Sequence, residues 1–257
     1  MYINDSFLPP IKLSDELYHV GGKKGPCYVL NYGEGLALID TSCPDNMDII
    51  EPNIKELGFS LSDVHHIFHS HGHFDHYGCT NDIVRLTGAV TYGSEADLEY
   101  FKGGDPYNEW GDRISFTPDV LLKDGDIITL GNYDIRFLHT PGHTEGVLSI
   151  FLTLHVDGVP YLGGMFGGSG VKPLYNGYFS DDEVSKSLRR KMIASIDRII
   201  TEPVKIHIGN HLGNNNAIEK LNYTGDGNPF LIYNNYVEFL TAKRAQVLEI
   251  IESQENQ

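Results

Sequence analysis

The chain has 257 residues, of which 19 are Lys or Arg and 35 are Asp or Glu, for a formal charge of −16. That balance argues against nucleic acid or an anionic membrane as a partner, because basic surface supplies most of that affinity. With 40% apolar and 21% charged residues the chain is neither disordered nor fibrous.

No run approaches the roughly 18 apolar residues of a membrane span. Residues 1–20 lack the basic start and apolar run of a secretory signal, so a cytoplasmic location is expected. The length predicts one domain over 1–257. Short apolar runs bounded by Gly, Asn or Pro predict strands over 27–31, 36–40, 64–68, 89–92, 127–130, 133–139, 147–154 and 204–208. A helix is predicted over 47–57, closed by Gly58, and a shorter one over 82–86 ahead of Gly88. Ser94 is placed to cap a helix reaching Tyr100. The strongest helical signal covers 181–200, with Ser180 and Glu183 spaced as a capping box. A last helix, about 233–252, carries Val237, Leu240, Leu248 and Ile251 on its expected apolar side. Residues 163–178 and 102–118 read as Gly-rich loops. Helices interleaved with strands and hairpin-like strand pairs predict an α/β fold, helices covering two stacked mixed sheets. Cys27, Cys43 and Cys79 form no CxxC and read as small buried hydrophobes in a reducing compartment.

Twelve histidines are unevenly spread. Ser70-His71-Gly72-His73-Phe74-Asp75-His76 follows directly on the strand over 64–68. Residues two apart in extended chain point the same way, so His71 and His73 can address one point, with Gly72 relieving crowding between them. Asp75 and His76, where the chain turns, can address a second. Thr140-Pro141-Gly142-His143-Thr144 throws His143 off the end of the strand over 133–139. Gly209-Asn210-His211 follows the strand over 204–208 in the same way, with His207 as the competing ligand. Imidazole nitrogens with one carboxylate select zinc over magnesium or calcium. The donors divide into His71, His73 and His143 for one metal and Asp75, His76 and His211 for another. The remaining histidines (19, 65, 66, 69, 139 and 155) read as packed or solvated.

HxHxDH after a buried strand, followed by TPGHT, resembles the metallo-β-lactamase superfamily, and subclass B3 of the metallo-β-lactamases most closely. Residues 10–22, 36–40 and 53–64 resemble its opening strand, the strand ending in an orienting Asp, and the helix and turn before the metal strand. Gly225-Asp226-Gly227-Asn228-Pro229-Phe230 resembles the subclass's C-terminal region. The resemblance implies an αββα sandwich of two mixed sheets flanked by helices, two Zn2+ per chain and a small-molecule substrate. Gly164 stands where much of the superfamily carries a bridging Asp, a departure shared with the β-lactamase branch. Where the subclass carries carboxylate-binding serines, this chain has Met165 and glycines, with Ser169 and Lys172 further on.

The implied reaction is attack of a metal-bound hydroxide on a carbonyl. The metal of His71, His73 and His143 would polarise that carbonyl, and Asp75 would orient the nucleophile as the catalytic carboxylate. Asp40 is the candidate for fixing a ligand histidine's tautomer; its alternative is capping the turn at Thr41-Ser42. Trp110, Met165, Ser169 and Lys172 are the substrate-binding candidates. The leading reading is a β-lactamase-like hydrolase of an amide or lactam. The alternatives are a lactonase or other ester or thioester hydrolase, and an iron-dependent oxidoreductase. The residues leave the oligomeric state open.

Overall fold

The computed structural model describes residues 7–104 and 113–255. The first sheet takes its strands in chain order: β1 (Ile11–Lys12), β2 (Leu17–His19), β3 (Tyr28–Asn31), β4 (Leu36–Ile39), β5 (Val64–Phe68), β6 (Val90–Ser94) and β7 (Val120–Leu122). Pairing is antiparallel from β1 to β4 and parallel from β4 to β7. The second sheet comprises β8 (Ile127–Leu130), β9 (Tyr133–His139), β10 (Leu148–Val156), β11 (Val159–Met165) and β12 (Ile206–His207). Its order is β12-β11-β10-β9-β8, with only the β11–β12 pair parallel.

Alternation along the strands builds three layers of core, since successive side chains face opposite sides of a sheet. Leu30, Ala37, Ile39 and Phe68 meet Ile135, Phe137, Ile150 and Leu152 between the sheets. The opposite faces of the same strands, with Val29, Leu38 and Ile67, pack under α1 (Met47–Glu56) and α3 (Thr80–Thr87) through Ile50, Ile54 and Ile83. The outer face of the second sheet, with Leu138 and Phe151, lies under α4 (Asp182–Ile199) and α7 (Tyr236–Glu255). Burial on both faces explains why β4 reads as an unbroken apolar run, LALI, and β3 as one up to its final Asn31, YVLN. The result is the expected αββα sandwich of two mixed sheets flanked by helices.

Four local readings need correction. The end of β11, residues 163–165, falls where a Gly-rich loop was expected, because Gly163 and Gly164 are strand residues whose missing side chains make room for neighbours. A Cβ at Gly163 would meet Leu154 Cδ1 at 2.5 Å, and one at Gly164 would meet Val204 Cγ2 at 2.5 Å. The cap of α4 is Asp181, whose carboxylate accepts from the Glu183 N–H at 2.9 Å; Ser180 takes no part. A full negative charge suits a helix N-terminus better than a hydroxyl does. On α7 the buried side is Tyr236, Leu240, Val247 and Ile250, while Val237 and Leu248 are exposed. Its orientation is fixed by packing on α4, where the Tyr236 hydroxyl donates to the Ile199 carbonyl at 3.2 Å.

Among the described residues no helix is long and apolar enough to cross a membrane. Ser94 caps only the short turn Glu95–Asp97, accepting from the Ala96 N–H.

Candidate metal centre

The site lies where β4, β5, β9 and β12 end along one edge of the two sheets. Parallel β4 and β5 bring Asp40 beside Ser70, and the Leu148 N–H of β10 donates to the Ser70 carbonyl at 2.8 Å. The turn after β9 and the one after β12 then deliver His143 and His211. His73 stands at the N-terminus of α2 (Phe74–Tyr77), whose single turn carries Asp75 and His76.

The expected donors converge in the two expected groups. His71 Nε2 lies 3.1 Å from His73 Nδ1, which lies 2.9 Å from His143 Nε2. In the second group His76 Nε2 and His211 Nε2 are 3.4 Å apart, and Asp75 Oδ2 is 3.7 and 3.8 Å from them. Within each group every donor atom lies within 4.8 Å of the others. Tetrahedral zinc with nitrogen ligands at about 2.0–2.1 Å would space them about 3.3 Å apart, close to the separations in both groups.

The far nitrogens of the rings fix which atoms hold lone pairs. His71 Nδ1 donates to the Gly167 carbonyl at 2.9 Å, His143 Nδ1 to Gly170 at 2.8 Å and His211 Nδ1 to Lys24 at 3.0 Å. His76 Nδ1 donates to Asp40 Oδ2 at 2.7 Å. A proton held at Nδ1 leaves Nε2 as a lone pair, so four Nε2 atoms are set to ligate before any ion arrives.

Charge follows the same pattern at every ring but His76. Burial, with help from neighbouring imidazoles, holds His71 and His143 well below the ordinary histidine value. Burial brings His73 to about 4 and lowers His211. Burial would also lower His76, but Asp75 and Asp40 outweigh it and raise it. Burial would raise Asp75, yet His76 and His211 hold its carboxyl below the usual range. Neutral imidazoles and an ionised carboxylate are the ligating forms, so the donor chemistry fits zinc.

Asp40 orients rather than caps. Its Oδ1 accepts from the Ser70 N–H and its Oδ2 from the Ser70 hydroxyl, each at 2.7 Å, besides the bond from His76. Its backbone is left-handed, φ 58°, a conformation Asp tolerates better than most side chains. Gly72 matters for a different reason than expected. A Cβ there would meet Tyr100 Cβ at 2.6 Å and Asp97 Cβ at 3.1 Å, so its missing side chain makes room for a neighbouring segment. His207 is buried apart from both groups; its Nδ1 bonds Asn235 Oδ1 at 2.9 Å.

A cleft of about 690 Å³ opens over both groups. Lys172, Pro173, Tyr175, Asn176 and Tyr178 wall one side. Of the substrate-binding candidates among the described residues only Lys172 lines it. Met165 ends β11 opposite Ile150 and faces the core between the sheets. Ser169 is buried and bonds Asn214 Oδ1 at 3.3 Å. Trp110 lies outside the described residues. Two features carried no signal in the sequence. Arg189, 2% exposed, reaches from α4 to hold the wall, donating from Nε to the Leu174 carbonyl at 2.6 Å and from Nη2 to Asn176 Oδ1. Asp97 bonds the loop of His71 and His73 and the loop of His143.

Comparison with known proteins agrees with this fold. The description of the metallo-beta-lactamase superfamily matches residues 20–198. The native FEZ-1 metallo-beta-lactamase of Legionella gormanii superposes with a TM-score of 0.89 at 27% identity, covering 100% of both chains. BJP-1, a subclass B3 metallo-beta-lactamase of Bradyrhizobium japonicum, gives 0.86 at 25%, covering 98% of this chain and 97% of that one. Among curated proteins, a hydroxyacylglutathione hydrolase of Maricaulis maris is 31% identical over 160 residues. That match spans 59% of this chain and 54%, about half, of the relative.

Proposed function

We propose that this chain, which belongs to the metallo-beta-lactamase superfamily, is a dizinc hydrolase acting on the carbonyl of an amide or lactam. His71, His73 and His143 would hold one ion and Asp75, His76 and His211 the other. Zinc supplies a water nucleophile that is ionised near neutral pH and a Lewis acid for the carbonyl. The protein's own part is to fix the donors and shape the cleft. Asp40 holds the His76 proton at Nδ1, and the Gly167, Gly170 and Lys24 carbonyls do the same for His71, His143 and His211. Asp75 is the carboxylate nearest the reacting centre and is the catalytic candidate for orienting the nucleophile. Lys172 on the cleft wall can meet an anionic group of the substrate.

The observation that carries this reading is the pair of three-donor groups in which four of the five rings have their outward nitrogens committed as donors. The second reading is hydrolysis of a thioester or lactone by the same centre. It is favoured by the hydroxyacylglutathione hydrolase relative and by Met165 standing where the resemblance places carboxylate-binding serines, while Gly164 in place of the bridging Asp counts against it. A screen of zinc-loaded protein on nitrocefin, acyl-homoserine lactones and acyl thioesters tests both. Nitrocefin turnover abolished by His143→Ala supports the first; turnover of thioesters or lactones alone replaces it with the second. No turnover of any of them, with two zinc ions bound, sinks both.

A further inference from the structure

We infer that Asp97 is a positioning residue that sets the three-histidine group, and that it does so by tying the loop of His71 and His73 to the loop of His143. The inference rests on the dizinc reading above.

Asp97 ends the turn after β6 and is 2% exposed. Its Oδ2 accepts from the Gly72 N–H at 2.9 Å and from the Thr144 hydroxyl at 2.6 Å. Its Oδ1 accepts from the Gly146 N–H at 2.8 Å. Gly72 lies between His71 and His73, and Thr144 follows His143 directly. One carboxylate therefore spans the only two loops that build the first group.

The fit is close on both sides. A Cβ at Gly146 would lie 2.4 Å from Asp97 Cγ, and one at Gly72 would meet Asp97 as well as Tyr100. Glycine at these positions lets the carboxylate approach the two backbones. The same segment also braces a ring, since Tyr100 stacks on His73 with centroids 5.6 Å apart and planes 22° apart. Burial pushes the Asp97 carboxyl up, while Thr144, Gly72 and Gly146 pull it back as donors. Two of these donors are backbone N–H groups that cannot turn away, so the site is built for an acceptor on both oxygens.

No bond from Asp97 reaches Asp75, His76 or His211 among the described residues. The second group is oriented instead through Asp40 and the Lys24 carbonyl. Loss of Asp97 should therefore weaken one group and spare the other, which a general packing role would not do.

Asp97→Asn supplies an acceptor on one side only and sets an NH2 against an N–H on the other. The test places it in two one-site backgrounds and measures zinc affinity by competition with a chromophoric chelator. With His211→Ala, the remaining zinc reports on the three-histidine group; with His143→Ala, it reports on the other. The expected result is a loss of about 10–100-fold in the first background, the range typical of partners behind ligands, and less than about 2-fold in the second. Thr144→Val should repeat the selective loss more weakly, and Thr144→Ser should restore it. That pair carries the test should Asp97→Asn fail to fold. Equal losses in both backgrounds, or none in either, overturn the inference and leave the dizinc reading standing. Failure of the parent to bind two zinc ions, or of either background to bind one, overturns both.

Discussion

Replacing Asp40 with Asn isolates the part played by orientation of the second group. The side chain keeps its shape but exchanges one acceptor oxygen for an NH2. Three donors point at the carboxylate at 2.7 Å: the Ser70 N–H, the Ser70 hydroxyl and His76 Nδ1. The hydroxyl can rotate, but the other two cannot both be served by one oxygen. If the amide oxygen faces Ser70, its NH2 faces His76 Nδ1 and drives the proton to Nε2, the atom that would ligate. If it faces His76, the buried Ser70 N–H loses its acceptor. Either outcome costs about 1–3 kcal/mol, equivalent to about 5- to 150-fold in an equilibrium constant. The expected result is a zinc affinity at the Asp75, His76 and His211 group lowered by that factor, read by chelator competition in the His143→Ala background. Turnover should fall in parallel. An Asp40→Asn protein that binds the second zinc as tightly as the parent would refute the assignment of Asp40 as the orienting residue.

Arg189→Met removes the donors to Leu174 and Asn176 while roughly keeping volume. Because the wall lines the cleft and supplies none of the six metal donors, KM should rise several-fold with kcat within about 2-fold; a fall in kcat alone would count against that division. Gly142→Ala would bring a Cβ to 2.5 Å from Met192 Cβ on α4. It should destabilise by about 1–3 kcal/mol through overpacking, seen as a lower denaturant midpoint, and an unchanged midpoint would show that the loop yields freely. His207 is held at about 4 by burial, whereas in the unfolded chain it sits near 6.5. Between those values the unfolded chain binds the extra proton, so stability is present in full above about pH 6.5 and declines on acidification. From about pH 8 to about pH 5 the loss is about 2 kcal/mol. His207→Gln should flatten the urea-midpoint profile by that amount, and identical slopes for parent and variant would show that the imidazole is not held neutral.

Much of the centre was legible in the residues. Period-2 geometry and the glycine and proline at the strand ends placed His71, His73, His143 and His211, because ligand spacing within a loop is a local property. That helices cover two stacked mixed sheets followed likewise from the alternation of apolar runs and helical patterns. What stayed hidden depends on partners distant in the chain. Gly163 and Gly164 looked like loop residues because the Leu154 and Val204 side chains that need their space lie elsewhere in the sequence. Met165 was near the cleft in the chain but turns away from it, since β11 register fixes its face, and Ser169 is buried against Asn214. Asp97 and Arg189 sit in stretches with no motif, and their roles exist only once the loops they bond have been brought beside them. The sequence by itself determined which donor chemistry the chain carries; the tertiary structure alone decided which carboxylates and carbonyls stand behind those donors, because hydrogen-bond partners tens of residues apart are chosen by packing.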